Sequence, residues 1–186
     1  EMCEIKLHVK LPIFIARQWI RHRTANINEY SARYSILEDE FYIPKKANLA
    51  KQSATNKQGR SEELDSNLAK KIIKILKEDA ERNYNNYLWM LNEKENEEYN
   101  SREGLSRELA RINLTLNTYT QWYWKVDLHN FMHFLSLRAD SHSQLEIRAY
   151  ADILIDLLKK WVPITYKAFC SYKLNSADLS QEALEV

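Results

Sequence analysis

The chain has 186 residues, of which 45% are hydrophobic and 28% are charged, and its formal net charge is +1. This size and balance predict one ordinary soluble globular domain over 1–186, and the near-neutral charge argues against a general attraction to nucleic acid. The two glycines, Gly59 and Gly104, lie far apart, which excludes a Rossmann fingerprint and a P-loop. Two cysteines are too few for a disulfide scaffold and favour a reducing, cytoplasmic setting.

Hydrophobic periodicity divides the chain into short strands and longer helices. In chain order, the predicted elements are a strand over 4–10, a helix over about 12–23, a loop over 24–34, an extended piece over 41–44, a basic mobile connection over 45–60, a helix over 61–92, a helix over 102–111, a strand over 112–126, a helix over 127–138, a helix that ends before Pro163 and a helix over 164–172. Asp127 is expected to cap one helix, and Ser141 with Gln144 to form a capping box for the next.

The order of these elements predicts the fold class. Helices and strands do not alternate as βαβ units, which favours an α+β fold with helices packed on a small, largely antiparallel sheet. No apolar run approaches the roughly 20 residues of a membrane span, and no secretory signal is visible. Residues 4–10 already have a strand pattern, so we expect an N-terminal piece of the natural protein to be missing.

The strongest chemical signal follows the first predicted helix. Arg21-His22-Arg23 is followed, after seven residues, by Ser31-Ala32-Arg33. Arginine forks hold phosphate oxygens bidentately, and nearby hydroxyl and carboxylate groups can bind a sugar or a base. The pattern predicts a site for a nucleotide monophosphate or a pyrophosphate. A helix dipole, which favours cations near a C-terminus, explains part of the same cluster without a ligand.

These residues resemble the signature of the flavin-dependent thymidylate synthases, which is Arg-His-Arg, seven residues, then Ser. The flanking residues 13–19 and 41–44 fit the family as well, and so does a second block over 134–147. Two extended blocks in the family's order make the resemblance specific over nearly the whole chain. Family members carry a further N-terminal segment with flavin contacts, which this chain does not include.

The resemblance implies an α+β flavoenzyme that methylates dUMP to dTMP without a cysteine nucleophile. Methylenetetrahydrofolate would donate the carbon, FAD would carry the hydride and NADPH would be the reductant. The family is a homotetramer with active sites shared between subunits, and the resemblance implies no nucleic acid, membrane or metal as a partner. The implied FAD contacts are Arg21, His22, Arg23, Glu29, Asp127, His129 and His133. The implied dUMP contacts are Gln18, Arg21, Glu29, Tyr30, Ser31, Ala32, Arg33, Arg111 and Arg138.

Arg138 is the implied catalytic residue. The reaction needs nucleophilicity at C5 of the uracil, so negative charge develops on the ring, and a fixed guanidinium stabilises that charge. The alternative is a simple cation at a helix C-terminus. Asp127 departs from the asparagine expected at its position, so its flavin contact is expected through the backbone or a water.

Two other functions stay open from the residues alone. The basic residues over 21–33 suit a nucleic-acid-binding module, whose affinity would fall steeply with salt. His129 and His133 lie four apart on one predicted helix, and together with His142 they suit a metal-dependent hydrolase. The aromatic residues over 119–124 suit a stacking platform, although aromatics at strand spacing are more often core.

Overall fold

A computed structural model of the chain describes residues 2–54, 59–94, 97, 99–177 and 180–184. It divides into two compact units, one made of Lys6–Lys125 and the other of Glu1–Ile5 with Val126–Val186. The strands are β1 (Glu4–Pro12), β2 (Asn26–Glu29), β3 (Ala50–Gln52), β4 (Arg60–Glu63) and β5 (Tyr119–Asp127). The α-helices are α1 (Ile13–Trp19), α2 (Ser66–Leu91), α3 (Arg107–Ala110), α4 (Leu128–Arg138), α5 (Leu145–Trp161), α6 (Pro163–Phe169) and α7 (Gln181–Leu184).

The strands form two small sheets, and the fold is α+β as predicted. One sheet has the order β1-β5-β2, and the other pairs β3 with β4. β2 runs antiparallel to β5, with Ile27 opposite Trp124 and Glu29 opposite Trp122. β3 and β4 are also antiparallel. This pairing places Glu29, which belongs to the predicted nucleotide site, at the end of a sheet strand.

Helix α1 packs on β5 through three tryptophans. The ring of Trp19 stands edge-on to the rings of Trp122 and Trp124, at centroid distances of 6.2 and 5.1 Å. All three side chains are at most 1% exposed. Side chains on one face of a strand recur every second residue, which puts Thr120 on the same buried face and leaves Tyr123 exposed. Trp122 and Trp124 are therefore core residues and not an open stacking platform.

Helix α2 is defined at both ends by side-chain hydrogen bonds. The Asp65 carboxylate caps its start, accepting from the backbone N–H groups of Asn67 and Leu68 at 2.8 and 3.2 Å, as such a cap should. The helix ends at Asn92, which has the left-handed conformation (φ 48°) common after a helix C-terminus. Near that end, Tyr87, Leu91 and Ala110 form a buried cluster.

The second unit is helical. The carboxylate of Asp127 caps α4 as predicted, accepting from the Asn130 N–H at 3.0 Å and from the Asn130 amide at 2.7 Å. α4 packs against α5, and the Phe131 and Trp161 rings meet edge-on at 6.2 Å. Pro163 begins α6, a position where its missing N–H is not needed. Among the described residues, no helix is long and apolar enough to cross a membrane.

Several predicted boundaries in the first half of the chain are wrong. The predicted loop over 24–34 contains β2, whose sequence Asn-Ile-Asn-Glu shows no alternation of polar and apolar residues. It is a strand because it pairs with β5, not because it buries one face. The predicted first helix stops at Trp19. The predicted mobile connection contains a short 3-10 helix and β3, and β4 pairs with β3, so α2 begins at Ser66. Residues 55–58 of that connection lie outside the described residues.

The second half also differs from the prediction in three places. The helix predicted over 102–111 shrinks to α3, and the strand predicted over 112–126 begins only at Tyr119, after a 3-10 turn over Arg111–Asn113. The alternating apolar residues before Tyr119 imitate a strand without having a partner strand among the described elements. The capping box does not form, because α5 starts after Gln144, whose side-chain amide donates to Glu146 at 3.0 Å.

Candidate functional site

A cavity of about 280 Å³ lies in the unit formed by Lys6–Lys125. This volume is close to the lower end of the roughly 300–1,000 Å³ typical of small-molecule pockets. Its lining is both polar and apolar: Ile13, Glu29, Tyr30, Ser31, Ala32, Leu37, Arg111, Leu114 and Thr120. Five implied dUMP contacts are therefore brought together here, namely Glu29, Tyr30, Ser31, Ala32 and Arg111. Gln18, Arg21 and Arg33 of the same unit do not line this cavity.

The carboxylate of Glu29 is held in place from the floor of the pocket. The Thr120 hydroxyl donates a hydrogen bond to Glu29 Oε1 at 2.7 Å, and Thr120 is only 5% exposed. Glu29 ends β2, and Thr120 lies on the neighbouring β5, so the sheet itself sets this contact. Among the described residues, no donor forms a hydrogen bond with the second carboxylate oxygen of Glu29. That oxygen can therefore accept from a hydroxyl or an N–H of a ligand.

We call residues 30–37 the pocket loop, because Tyr30, Ser31, Ala32 and Leu37 all line the cavity. The loop starts at a hydrogen bond from the Tyr30 N–H to the Gln121 carbonyl, 2.8 Å long. The Ser31 carbonyl then accepts from two later N–H groups, which closes a tight turn. Ser31 Oγ accepts from the backbone N–H of Arg33 at 3.3 Å, so its hydroxyl hydrogen remains available to donate to a ligand.

The arginines around the pocket carry few strong internal contacts. Arg33 pairs with Glu108 at 3.3 Å, and both side chains are 55% exposed. Exposed pairs of this kind contribute about 0–1 kcal/mol, so Arg33 can be redirected to a ligand anion at low cost. The Arg111 Nε–H donates to the Glu108 carbonyl at a long 3.4 Å. Arg111 thus brings a positive charge to a pocket whose wall also holds the Glu29 carboxylate.

We call Arg21 and Arg23, which follow α1, the basic corner. Both side chains are exposed, and within the described part of the chain neither makes an ion pair or a hydrogen bond. Between them, the His22 backbone N–H donates to the Trp19 carbonyl at 3.0 Å, which closes the last turn. Gln18, one turn earlier, is half-buried, and its Oε1 accepts no hydrogen bond from the described residues. These groups offer two free cations and one unsatisfied acceptor.

The remaining implied site residues belong to the unit that contains α4. Arg138 is the last residue of α4 and is half-buried. Burial lowers the pKa of the Arg138 guanidinium, but arginine stays charged at neutral pH all the same. His129 and His133 are exposed on α4 at the spacing that puts two side chains on one helix face. The structure thus places all three on one short helix.

Asp127 does not offer a free carboxylate, because it caps α4. Hydrogen bonds from the Asn130 backbone and side chain hold the pKa of the Asp127 carboxyl below its ordinary value. The described residues contain no group of three His, Cys, Asp or Glu side chains placed to hold a metal ion. His142 is engaged elsewhere, with its Nδ1 2.8 Å from Asp140 Oδ1.

Sequence reasoning missed one polar residue of the pocket, Thr120. A usable signal was present, because the alternation of β5 puts Thr120 on the face of Trp122 and Trp124, where a buried hydroxyl needs a partner. Leu37 and Leu114 were missed for a different reason, since aliphatic residues in loops carry no signal of where they pack. The geometry therefore adds an anchored carboxylate and an apolar wall to the predicted site.

With this geometry described, the chain can be placed in a family. The family model described as "Thymidylate synthase complementing protein" (Thy1) matches residues 1–164, and the chain belongs to that family. A flavin-dependent thymidylate synthase from Rickettsia bellii is 57% identical over 189 residues, and one from Gluconobacter oxydans is 59% identical over 186. These matches cover the whole of this chain. They cover only 64% and 59% of the two relatives, so the chain spans less than two thirds of their length.

A solved structure shares the fold as well. The crystal structure of a UMP/dUMP methylase, PolB from Streptomyces cacaoi, bound with 5-Br UMP, is 29% identical and superposes with a TM-score of 0.81, covering 92% of this chain and 74% of the other. The same protein bound with 5-Br dUMP gives a TM-score of 0.78 at 27% identity. The fold class predicted from the order of elements is thereby confirmed.

Each unit by itself carries side chains whose chemistry suits part of a flavin dinucleotide. Within the described part of the chain, the two exposed arginines of the basic corner make no ion pair, so they can receive a pyrophosphate without breaking a recorded contact. The exposed imidazoles of His129 and His133 can pack against or hydrogen-bond a ring system. The carboxylate of Asp127 is the exception, since its oxygens already accept from Asn130.

Proposed function

We propose that this chain forms the nucleotide pocket and part of the flavin site of a flavin-dependent thymidylate synthase, which converts dUMP to dTMP. One observation carries the proposal: Glu29 and Ser31 of the signature region line a single cavity with Arg111, which lies about 80 residues further along the chain. A nucleic-acid-binding module would need a basic surface, whereas this cavity is lined by the Glu29 carboxylate, which is held by a hydrogen bond from Thr120. Membership of the Thy1 family supports the same conclusion.

In the proposed complex, the substrate is bound by positively charged, neutral and negatively charged groups. Arg111, Arg21 and Arg33 would bind the phosphate, because guanidinium forks match phosphate oxygens. The Ser31 hydroxyl and the backbone groups of Tyr30 and Ala32 would add neutral hydrogen bonds. The Glu29 carboxylate would accept from a sugar hydroxyl or a base N–H, and Gln18 would add a further amide contact.

Arg138 would act on the uracil ring. A guanidinium that is half-buried has fewer waters competing for it, so its field on a developing ring charge is stronger than at an exposed site. It would favour ionisation at N3 of the uracil and thereby raise the nucleophilicity of C5. No other described side chain is assigned a catalytic role.

Arg21, His22, Arg23, Glu29, Asp127, His129 and His133 would hold FAD. When bound, FAD supplies the hydride that completes the methyl group, while methylenetetrahydrofolate supplies the carbon and NADPH the reducing equivalents. The chain's own contribution is to bind, orient and polarise. For Asp127, the contact would come through the backbone or a water, because its carboxylate caps α4.

We also propose that the full-length protein works as a cytoplasmic homotetramer with active sites shared between subunits. The side chains of Leu109 in α3 and Ile112 just after it are apolar and 48% and 74% exposed, which is consistent with a covered surface. Size-exclusion chromatography with light scattering tests the tetramer. A monomer of the full-length protein that still makes dTMP would contradict shared sites.

The proposed activity is tested first by the visible absorbance spectrum of the full-length protein, before and after dUMP is added. We expect a flavin spectrum that shifts with dUMP, because both ligands would occupy one site. A colourless protein that fails to take up added FAD would contradict the proposal. DNA or RNA binding that falls steeply with salt, without affinity for dUMP, would instead support the nucleic-acid module.

The catalytic role is tested by Arg138→Ala in the same protein. We expect dTMP formation to be abolished while FAD stays bound. Arg82→Ala is the control, because Arg82 lies on α2, is 69% exposed and, among the described residues, pairs only with Asp79 one turn away. Normal turnover by the Arg138 variant would remove this residue from the mechanism.

A further inference from the structure

The pocket loop is attached to the rest of its unit mainly through its backbone, since the pair between its Arg33 side chain and Glu108 is exposed and contributes little. At the start, Tyr30 N–H donates to the carbonyl of Gln121 on β5 at 2.8 Å. At the end, both backbone groups of Leu37 are held, and in the middle the carbonyl of Tyr34 is held. Ser31 and Ala32, which line the cavity, lie between these fixed points.

Two tyrosines of α2 hold the end of the loop with opposite chemistry. The Tyr87 hydroxyl oxygen accepts from the Leu37 N–H at 3.2 Å, whereas the Tyr84 hydroxyl donates to the Leu37 carbonyl at 2.8 Å. Tyr87 is fully buried, and burial raises the pKa of both phenols, that of Tyr84 to about 12. Both groups therefore stay protonated and hydrogen-bonding across the physiological range.

The middle of the loop is held by an ion pair. The Arg107 guanidinium, at the start of α3, donates to the Tyr34 carbonyl and at the same time to both carboxylate oxygens of Glu93. The Glu93 side chain is 21% exposed and that of Arg107 is 34% exposed. Such a partly desolvated, bidentate pair keeps its geometry better than an exposed one. Glu93 thus orients the arginine that holds the loop.

We propose that Tyr84, Tyr87 and the Arg107–Glu93 pair are positioning residues for nucleotide binding, acting through Leu37 and Tyr34 on Ser31 and Ala32. None of the four side chains lines the cavity, so they would not touch the substrate. The inference rests on the proposed function, since it assigns residues to the binding of the same nucleotide monophosphate.

The physical reason is the cost of ordering a loop. A ligand that needs the loop in one arrangement binds with an apparent dissociation constant equal to the intrinsic one divided by the fraction of molecules in which the loop has that arrangement. Hydrogen bonds between the loop backbone and the side chains of Tyr84, Tyr87 and Arg107 keep that fraction close to one before the ligand arrives. At saturating dUMP the loop is in place in every variant, so the chemical step should proceed normally.

The test measures dUMP binding and turnover in the full-length, FAD-loaded protein. The variants are Tyr84→Phe, Tyr87→Phe and the double variant. Glu93→Gln is a further variant that weakens the hold on the loop through Arg107 and leaves both tyrosines in place, so it serves if the phenylalanine variants fold poorly. Tyr172→Phe is the matched control, because Tyr172 is 77% exposed and lies in the other unit. Isothermal titration gives the dissociation constant, and a rate measurement at saturating dUMP gives kcat.

We expect each single variant to raise the dissociation constant about three- to fivefold and the double variant about tenfold, since each removes a hydrogen bond that holds the loop. We expect kcat to stay within about twofold of wild type, and Tyr172→Phe to match wild type. Without dUMP, hydrogen exchange at the backbone amides of Ser31 to Leu37 should be faster in the variants than in wild type. Adding dUMP should slow it again.

Three results would overturn the inference in different ways. A lower melting temperature with an unchanged dissociation constant would mean that these residues only stabilise the fold, and the proposed function would stand. A wild-type protein that binds no dUMP would remove both the inference and the proposed function. A fall in kcat with unchanged affinity would also reject a positioning role.

Discussion

The pocket loop and the basic corner lie in the same unit, are both proposed to bind nucleotide ligands and are built in opposite ways. The loop is held at Tyr30, Tyr34 and Leu37 by partners from other elements. The basic corner has two exposed arginines without an ion pair among the described residues. The loop has met its ordering cost during folding, whereas each corner arginine loses up to about 2 kcal/mol of side-chain entropy when it binds.

The difference teaches which ligand each region suits. A pre-ordered wall with a pinned carboxylate discriminates among small rigid groups such as a base and a sugar. Free arginines adapt to a larger ligand with a flexible pyrophosphate. Variants in the loop should therefore change affinity through structure, and variants in the corner should change affinity through charge alone.

The largest effect on the pocket is expected from Arg111→Ala. The loss of a charge-assisted contact to a phosphate should lower dUMP affinity about 30- to 100-fold, because no neutral residue of the wall replaces it. Isothermal titration with the FAD-loaded, full-length protein measures it. Arg82→Ala should leave affinity unchanged, and equal affinity in both variants would remove Arg111 from the pocket's function.

The packing at the end of α2, the helix that carries Tyr84 and Tyr87, can be disturbed at Gly104. A β-carbon there would overlap the carbonyl oxygen of Leu91 at the end of α2, and this backbone cannot yield as a flexible side chain would. Gly104→Ala should therefore lower the free energy of unfolding by about 1–3 kcal/mol. Chemical denaturation measures it. An unchanged or raised stability, the usual result for Gly→Ala at an open site, would show that the 102–106 segment is free to shift.

The pinned carboxylate is tested by Thr120→Val, which keeps the shape and removes the hydroxyl. Glu29 should then lose its anchor, and dUMP affinity should fall about fivefold. Thr120→Ser retains the hydrogen bond and should retain most of the affinity. If valine and serine bind dUMP equally well, the contact from Thr120 does not position Glu29.

The basic corner gives the contrasting result. Arg21→Ala and Arg23→Ala should each change the free energy of unfolding by less than about 0.5 kcal/mol, because neither side chain has a described partner to lose. FAD affinity should nevertheless fall, by several-fold in each case. Denaturation curves and fluorescence titration with FAD measure the two quantities. A clear loss of stability would mean that the corner is as tightly built as the loop.

The smallest effect concerns alkaline pH. Because burial raises the pKa of Tyr84 from 10.0 to about 12, the folded protein binds more protons than the unfolded chain in that interval. The stabilisation from the neutral phenol is present below pH 10 and is lost as the pH rises towards 12. The free energy of unfolding should thus fall more steeply over this range in wild type than in Tyr84→Phe. Parallel curves for the two proteins would contradict the assignment.

Local chemistry allowed much of this molecule to be predicted. The strand that became β1, the long helix α2, the Asp127 cap and the helix ending before Pro163 all follow from periodicity and capping groups within a few residues of each other. The signature over Arg21 to Arg33 was equally visible, because its residues are close in sequence. The predictions of FAD contacts at His129 and His133 stay predictions.

Other features depend on residues that are remote in sequence. β2 has no strand pattern of its own and exists because β5 pairs with it. Thr120 became part of the pocket because that pairing puts it beside Glu29, and two tyrosines of α2 form hydrogen bonds with the backbone of Leu37, which is remote in sequence. The sequence by itself determined the α+β class and the principal helices, and it supplied the residues that are proposed to bind the anion. Only the tertiary structure decided which of them share a cavity, because a cavity wall is assembled from segments whose local sequences carry no record of one another.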